Sequence, residues 1–278
     1  MPRHSLETPT GIDISRLNQS IQHVMRASPD VQPSKALRLG IGFAGRHIGL
    51  MWQQRSGKEA RRYAVELSTN MHIALDILDS AVDAIPDIDK RIGVYDTATE
   101  HAINGRCDCR KNACLPIYQM GLVVNETLIR PSSPLADTLR VITSVGREQM
   151  TSQSEDTQER CMRQMGESCM LLLLQASEIA HEQRAPSALH GAIGQLGIAV
   201  YMQDLAYEVK DDLAAANLTY VTLRIQNGED TDAVVREVTT RATAEKNAGL
   251  LLLADWPLPP RGRYELLWRA MSFKNHYL

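Results

Sequence analysis

Large aromatic side chains are scarce in this chain: Phe, Trp and Tyr make up 5% of it, with just two Phe. Leu, Ala, Met and Ile must therefore fill the core, which suits helices better than sheets. Basic charge is not in excess either. A formal net charge of −3 leaves no electrostatic footprint for nucleic acid, which is not expected as a partner. Long apolar runs are missing. The longest, Cys169 to Leu174, is far too short to span a bilayer, so no integral membrane segment is expected. Residues 1–18 are polar and do not read as a signal peptide. A soluble, cytoplasmic protein is the expectation. Cysteine is sparse, and its spacing is wrong for zinc. Cys107, Cys109 and Cys114 form C-x-C-x4-C, with His101 as the nearby histidine, where zinc sites usually show paired C-x2-C or paired His. Reduced thiols are the plain reading. Cys161 and Cys169, at i and i+8, share a helix face and read as packing.

What the chain does have is helical periodicity. It holds 278 residues, 44% of them hydrophobic, enough for one large domain or two small ones with a buried core. Apolar residues recur at helical spacing over 34–53, through Leu37, Ile41, Ile48 and Met51. They do so over 58–82, through Tyr63, Leu67, Met71, Leu75 and Leu78. Pro86 and the charged stretch after it end that helix. Helices are also predicted over 113–129, 135–150, 156–181, 187–212, 231–254 and 261–273. Ser187 is the expected N-cap of its helix. Pro257, Pro259 and Pro260 are expected to form a rigid joint before the last helix. The pattern predicts an all-α fold of about eight to ten helices around one core. Residues 1–30 are expected to be a polar segment with a first helix, and 31–278 a single helical domain.

Two acidic stripes stand out. Asp76, Asp79 and Asp83 fall at i, i+3 and i+7, on one helix face. Like charges so placed repel, and the apolar neighbours Leu75, Leu78 and Val82 raise the cost of leaving them unneutralised. A hard divalent cation relieves that cost, and Mg²⁺ prefers carboxylate and phosphate oxygens. Asp204, Glu208 and Asp212, at i, i+4 and i+8, continue the line of the apolar segment 196–200. Diphosphate ionisation is the chemistry that needs this arrangement. Carboxylates on two facing helices hold metal ions that neutralise the leaving group. An apolar helical cavity below shields the carbocation from water.

At this point the sequence resembles the trans-prenyltransferase (polyprenyl diphosphate synthase) family of class I isoprenoid synthases, over nearly the whole chain. Ser34-Lys35-Ala36-Leu37-Arg38 is similar to the family's G-K-R-L-R, and His72 lies where the family carries a His. Asp79-Ser80-Ala81-Val82-Asp83 is similar to its first D-D-x-x-D, and Lys90-Arg91-Ile92-Gly93 to the R-R-G that follows. The segment 196–208 resembles L-G-x-A-F-Q-x-x-D-D-x-x-D, and Asp212 falls on a further family Asp. The chain departs from the pattern at Ser80, Leu205 and Ile92, and Gly166-Glu167-Ser168 stands where the family has its Lys-Thr pair.

The resemblance implies an all-α bundle with a central apolar cavity and a homodimeric assembly. It implies that Asp79, Asp83, Asp204 and Glu208 bind roughly two or three Mg²⁺ ions and through them an allylic diphosphate, with Asp76 and Asp212 assisting. Lys35, Arg38 and His72 would bind isopentenyl diphosphate, and Arg91 would contact a diphosphate. Ala74, beside Leu75, would leave the hydrocarbon pocket deep enough for long prenyl chains. The implied reaction joins an allylic prenyl diphosphate to isopentenyl diphosphate. A class I terpene synthase acting on one prenyl diphosphate, or an impaired regulatory subunit, stand as alternatives. Taken singly, each residue has a plainer reading. Lys35, Arg38 and Arg91 suit solvated surfaces, His72 a hydrogen-bonded core, and Glu208 and Asp212 ion pairs with Lys210 or Arg224.

Overall fold

The computed structural model describes residues 47–48, 50–51, 82, 85–104, 134–181, 183–255 and 258–273. Lys35, Arg38, His72, Ala74, Leu75, Asp76, Asp79 and Asp83 lie outside the described residues, as do Cys107, Cys109 and Cys114. The expected domain boundary at residue 30, the helix over 113–129 and most of those over 34–53 and 58–82 lie outside them too.

Among the described residues the fold is all-helical, without a strand. The helices are α1 Ile88–Asn104, α2 Pro134–Thr151, α3 Glu155–His181, α4 Ser187–Tyr207, α5 Val209–Ala215, α6 Tyr220–Gln226, α7 Thr231–Leu252 and α8 Leu258–Phe273. The chain divides into two compact units. One comprises Met1–Gly49, Arg55–Arg140 and Gln175–Gln183; the other comprises Leu50–Gln54, Val141–Leu174 and Arg184–Leu278. The first includes α1, whose buried side chains are Tyr95 and Ile103. The second carries the candidate site.

Four expectations are corrected. Helix α1 follows Pro86, where the sequence pattern offers only a charged stretch. Asp87 starts it by accepting from the Lys90 backbone N–H at 3.1 Å, an N-cap that also lowers the Asp87 pKa. Ser187 is not a cap: it is the first residue of α4, and the preceding Pro186 has no side-chain cap bond. The helix over 187–212 is interrupted at Glu208. Pro259 and Pro260 lie inside the first turn of α8 rather than before it, where a missing N–H costs nothing.

Helix α4 is apolar on nearly all sides, from Leu189 through Ala206, and this is why it sits in the core of its unit. Helix α7 has a single buried stripe, Val234, Val238, Ala242 and Gly249, and lays it on α4. The two run antiparallel. Gly191 near the start of α4 meets Leu252 at the end of α7, while Leu205, Ala206 and Val209 share a core cluster with Val234 and Val238.

Helix α3 crosses α4 where both carry glycine. A Cβ on Gly197 would collide with the Gly166 carbonyl oxygen, and one on Gly166 would lie 2.6 Å from the Gly197 oxygen. Gly249 gives way to Tyr264 of α8, whose buried hydroxyl donates to the Lys246 carbonyl at 3.1 Å. Burial pushes that hydroxyl's pKa up.

An ionic cluster ties α3, α6 and α7 together. Arg224 is buried, donates twice to Glu229 at 2.7 and 2.6 Å and once to Glu237 at 2.7 Å. Arg241 pairs with Glu159 and donates to the Tyr220 hydroxyl at 2.9 Å. The two guanidinium groups lie 5.4 and 5.6 Å from the Tyr220 ring centroid, within cation–π range. Arg224 holds the Glu229 and Glu237 carboxyls below their ordinary value of 4.5. Their contribution to stability is therefore full above that value and lost as the pH falls below it. Arg224→Met should flatten the fall in stability on acidification below about pH 4.5. Both carboxylates are largely exposed, so solvent screens the effect and keeps it modest. Urea midpoints at neutral and acid pH would check this, and identical slopes for the two proteins would refute it.

Candidate functional site

The described half of the candidate site lies on α4 and α5. Asp204 is half-buried and Glu208 is exposed. Helix α4 ends at Tyr207, and Glu208 takes φ −83°, ψ 1° before α5 begins at Val209. The interruption is slight. The Glu208 N–H still donates to the Asp204 carbonyl at 2.8 Å, and the Asp212 N–H to the Glu208 carbonyl at 2.9 Å. The i→i−4 ladder passes through the break, so Asp204, Glu208 and Asp212 keep their spacing of four.

Asp212 also has a local task. Its carboxylate accepts from Asn217 Nδ2 at 3.2 Å, and its carbonyl accepts from the Asn217 N–H at 2.9 Å. Between them Ala216 is left-handed, at φ 55°, and closes α5. Asp212 thus anchors a turn as well as extending the acidic stripe. The Arg224 guanidinium pairs with Glu229 and Glu237.

Leu205 stands where the resembled family has a second Asp. Here it is buried and belongs to the apolar cluster with Met202, Ala206, Val209, Val234 and Val238. A carboxylate at this position would be stranded without a partner in an apolar core, at a cost of several kcal/mol. The Leu is therefore a packing residue, and the stripe carries Asp204 without a second acid beside it.

Arg91 is not in a charged loop. It is half-buried on α1, and its Nε donates to the Ile85 carbonyl at 2.7 Å. That bond closes the turn before α1, a structural task. Ile92 is half-buried beside it.

A groove of about 550 Å³ opens on the other side of α4, lined by Glu159, Arg163, Glu167, Gln195, Ile198 and Leu252 among others. Gln195 precedes Asp204 by nine residues, which turns a helix through about 180°. The groove is thus a separate place from the acidic stripe. Its arginines are occupied: Arg163 pairs with Glu245 at 2.5 Å, and Arg160 pairs with Glu148. Glu167, which stands where the family has Lys, lines this groove and lies against Gly194.

Neither described cysteine is in a disulfide. Cys161 is buried, and burial together with the nearby Glu148 carboxylate pushes its thiol up to about 11. An inert packing thiol is the result, as its spacing suggested.

Among the described residues no group of three or more His, Cys, Asp or Glu is placed to hold a metal ion. The donor chemistry of the stripe nonetheless suits Mg²⁺. That ion demands hard oxygens, keeps several waters, and binds through one or two carboxylates plus substrate phosphates rather than in a closed protein cage. No described helix is long and apolar enough to cross a membrane.

Two features were not read from the sequence. Gln149 of α2 hydrogen-bonds the Tyr201 hydroxyl, and Gln158 of α3 is buried with its amide turned to the end of α2. The first pair is separated by 52 residues, so no local pattern signals it.

No protein-family model matches the chain, and no curated protein matches it. Among solved structures, a point variant of cucumene synthase is similar, with a TM-score of 0.57 and 12% identity. The match covers 99% of this chain and 96% of that one. The chain therefore shares the all-helical fold of that terpene synthase over almost its entire length.

Proposed function

We propose that this protein is a class I terpene synthase, a Mg²⁺-dependent enzyme that ionises a single prenyl diphosphate. The observation that carries the reading is the wall on α4 and α5. Asp204, Glu208 and Asp212 keep an i, i+4, i+8 spacing through the break, while position 205 is given to the core. That is one acid per turn, the spacing of the second metal motif of terpene synthases, rather than the paired Asp of a chain-elongating enzyme. The fold shared with cucumene synthase supports it.

Asp204 and Glu208, with Asp212 beside them, would hold Mg²⁺, which when bound supplies neutralisation of the charge developing on the diphosphate leaving group. The chain's own residues do the rest. The core cluster behind Leu205 fixes α4, so the carboxylates are presented from a rigid element. By the resemblance, Asp79 and Asp83 would also bind Mg²⁺.

Lys35, Arg38 and His72 favour a second reading, condensation with isopentenyl diphosphate. One experiment separates the two. The purified protein is incubated with Mg²⁺ and geranyl, farnesyl or geranylgeranyl diphosphate, with and without isopentenyl diphosphate. Hydrocarbon or alcohol formed from one prenyl diphosphate alone is the expected result. Strict dependence on isopentenyl diphosphate would establish the second reading instead. Absence of turnover under every condition would overturn both.

A further inference from the structure

We infer that Asn217 is a positioning residue, whose side-chain amide holds the Asp212 carboxylate in place for Mg²⁺ at the acidic stripe. The inference rests on the function proposed above and deepens it at one residue.

An Asp side chain turns about two bonds, and a metal ion that binds it must stop that rotation. A donor that already holds one carboxylate oxygen lowers this cost, which is why ligating carboxylates are themselves hydrogen-bonded. Asp212 is half-buried on α5, one turn after Glu208. Its Oδ1 accepts from Asn217 Nδ2 at 3.2 Å.

Closing α5 does not call for that amide. Ala216 supplies the left-handed residue, and the Asn217 backbone N–H meets the Asp212 carbonyl at 2.9 Å. Any residue except proline carries that N–H. The side-chain bond is additional, and it falls on the carboxylate rather than on the backbone.

The amide is itself anchored. The hydroxyl of Thr222, fully buried, donates to the Asn217 carbonyl at 2.8 Å. Thr222 and the buried Thr219 form the capping box that starts α6, and Tyr220 and Val221 of that helix lie in the core cluster. The donor is thus carried from the core. It is also neutral, so it fixes a carboxylate oxygen without bringing a cation that would compete with a metal ion.

The test is titration of the full chain with Mn²⁺, which favours the same oxygen ligands as Mg²⁺. Inorganic diphosphate is present, and free Mn²⁺ is read by electron paramagnetic resonance. Circular dichroism and a thermal melt accompany each variant. Asn217→Ala and Asn217→Leu are each expected to weaken Mn²⁺ binding by about tenfold or more, the usual cost of losing the partner of a metal-ligating group. Asp212→Asn should weaken it as well. Adding Asn217→Ala to Asp212→Asn should then cost less than about twofold further, because the amide acts through the carboxylate. A merely structural role would lower the melting temperature and leave the metal affinity of the folded protein unchanged. Mn²⁺ binding at natural strength in both Asn217 variants would therefore overturn the inference and leave the proposed function standing. Equal losses from Asn217→Ala with and without the Asp212 carboxylate would also overturn it. If the natural protein does not bind Mn²⁺ with diphosphate, the proposed function fails together with the inference.

Discussion

Asp204→Asn should lower Mg²⁺-dependent turnover of a prenyl diphosphate by about a hundredfold to a thousandfold, the usual cost of removing one preorganised charge-stabilising group. The substitution is isosteric and leaves the helix backbone unchanged. It removes a half-buried carboxylate from a stripe that also holds Glu208 and Asp212. The exchange of one carboxylate for an amide of the same shape should leave the protein folded. A loss of activity without a loss of stability is the expected pair of results, read from steady-state kinetics and a thermal melt. Glu167→Gln is the control. Its carboxylate faces the groove on the other side of α4, and turnover should change less than about twofold. Full activity in Asp204→Asn would show that the stripe is a solvated face and not a wall of the site.

Gly197→Val should destabilise the protein by about 3 kcal/mol or more, at the upper end of overpacking costs. The reason is what a side chain there would meet. Its Cβ would run into a backbone oxygen, that of Gly166, and would fall 2.8 Å from Met170 Cβ. Neither can swing aside as the tip of a long side chain can, so α3 and α4 must separate. For a protein of this size the loss corresponds to a drop of roughly 6–12 °C in melting temperature. Gly191→Ala makes the contrast on the same helix. Its Cβ would lie 3.0 Å from Leu252 Cδ1, on a side chain that is 47% exposed and able to rotate away. That variant should melt within about 2 °C of the natural protein. Equal melting temperatures for Gly197→Val and the natural protein would mean that the two helices do not meet at these glycines.

Much of this protein was written in its sequence. The scarcity of aromatic residues and the helical recurrence of Leu, Ala, Met and Ile determined an all-α fold, because such periodicity is a property of one helix and its own residues. Local spacing placed α2, α3, α4 and α7 to within a few residues. It also placed Asp204, Glu208 and Asp212 on one stripe, and the break at Glu208 did not disturb that, since the hydrogen-bond ladder runs through it. The two acids of the resembled first motif, Asp79 and Asp83, lie outside the described residues.

Tertiary structure decided the rest, and the reason is the same in each case. Which face of a helix meets a neighbour is set by packing between elements far apart in the chain. Leu205 reads as a defect in an acidic motif until α7 shares its apolar cluster. Arg91 reads as part of a charged stretch until α1 forms around it and the Ile85 carbonyl accepts its Nε. Glu167 reads as a misplaced charge until the groove takes it to the other side of α4. Gln149 and Tyr201 carry no signal, because 52 residues separate them and only the fastening of α2 to α3 through Gln158 brings them together.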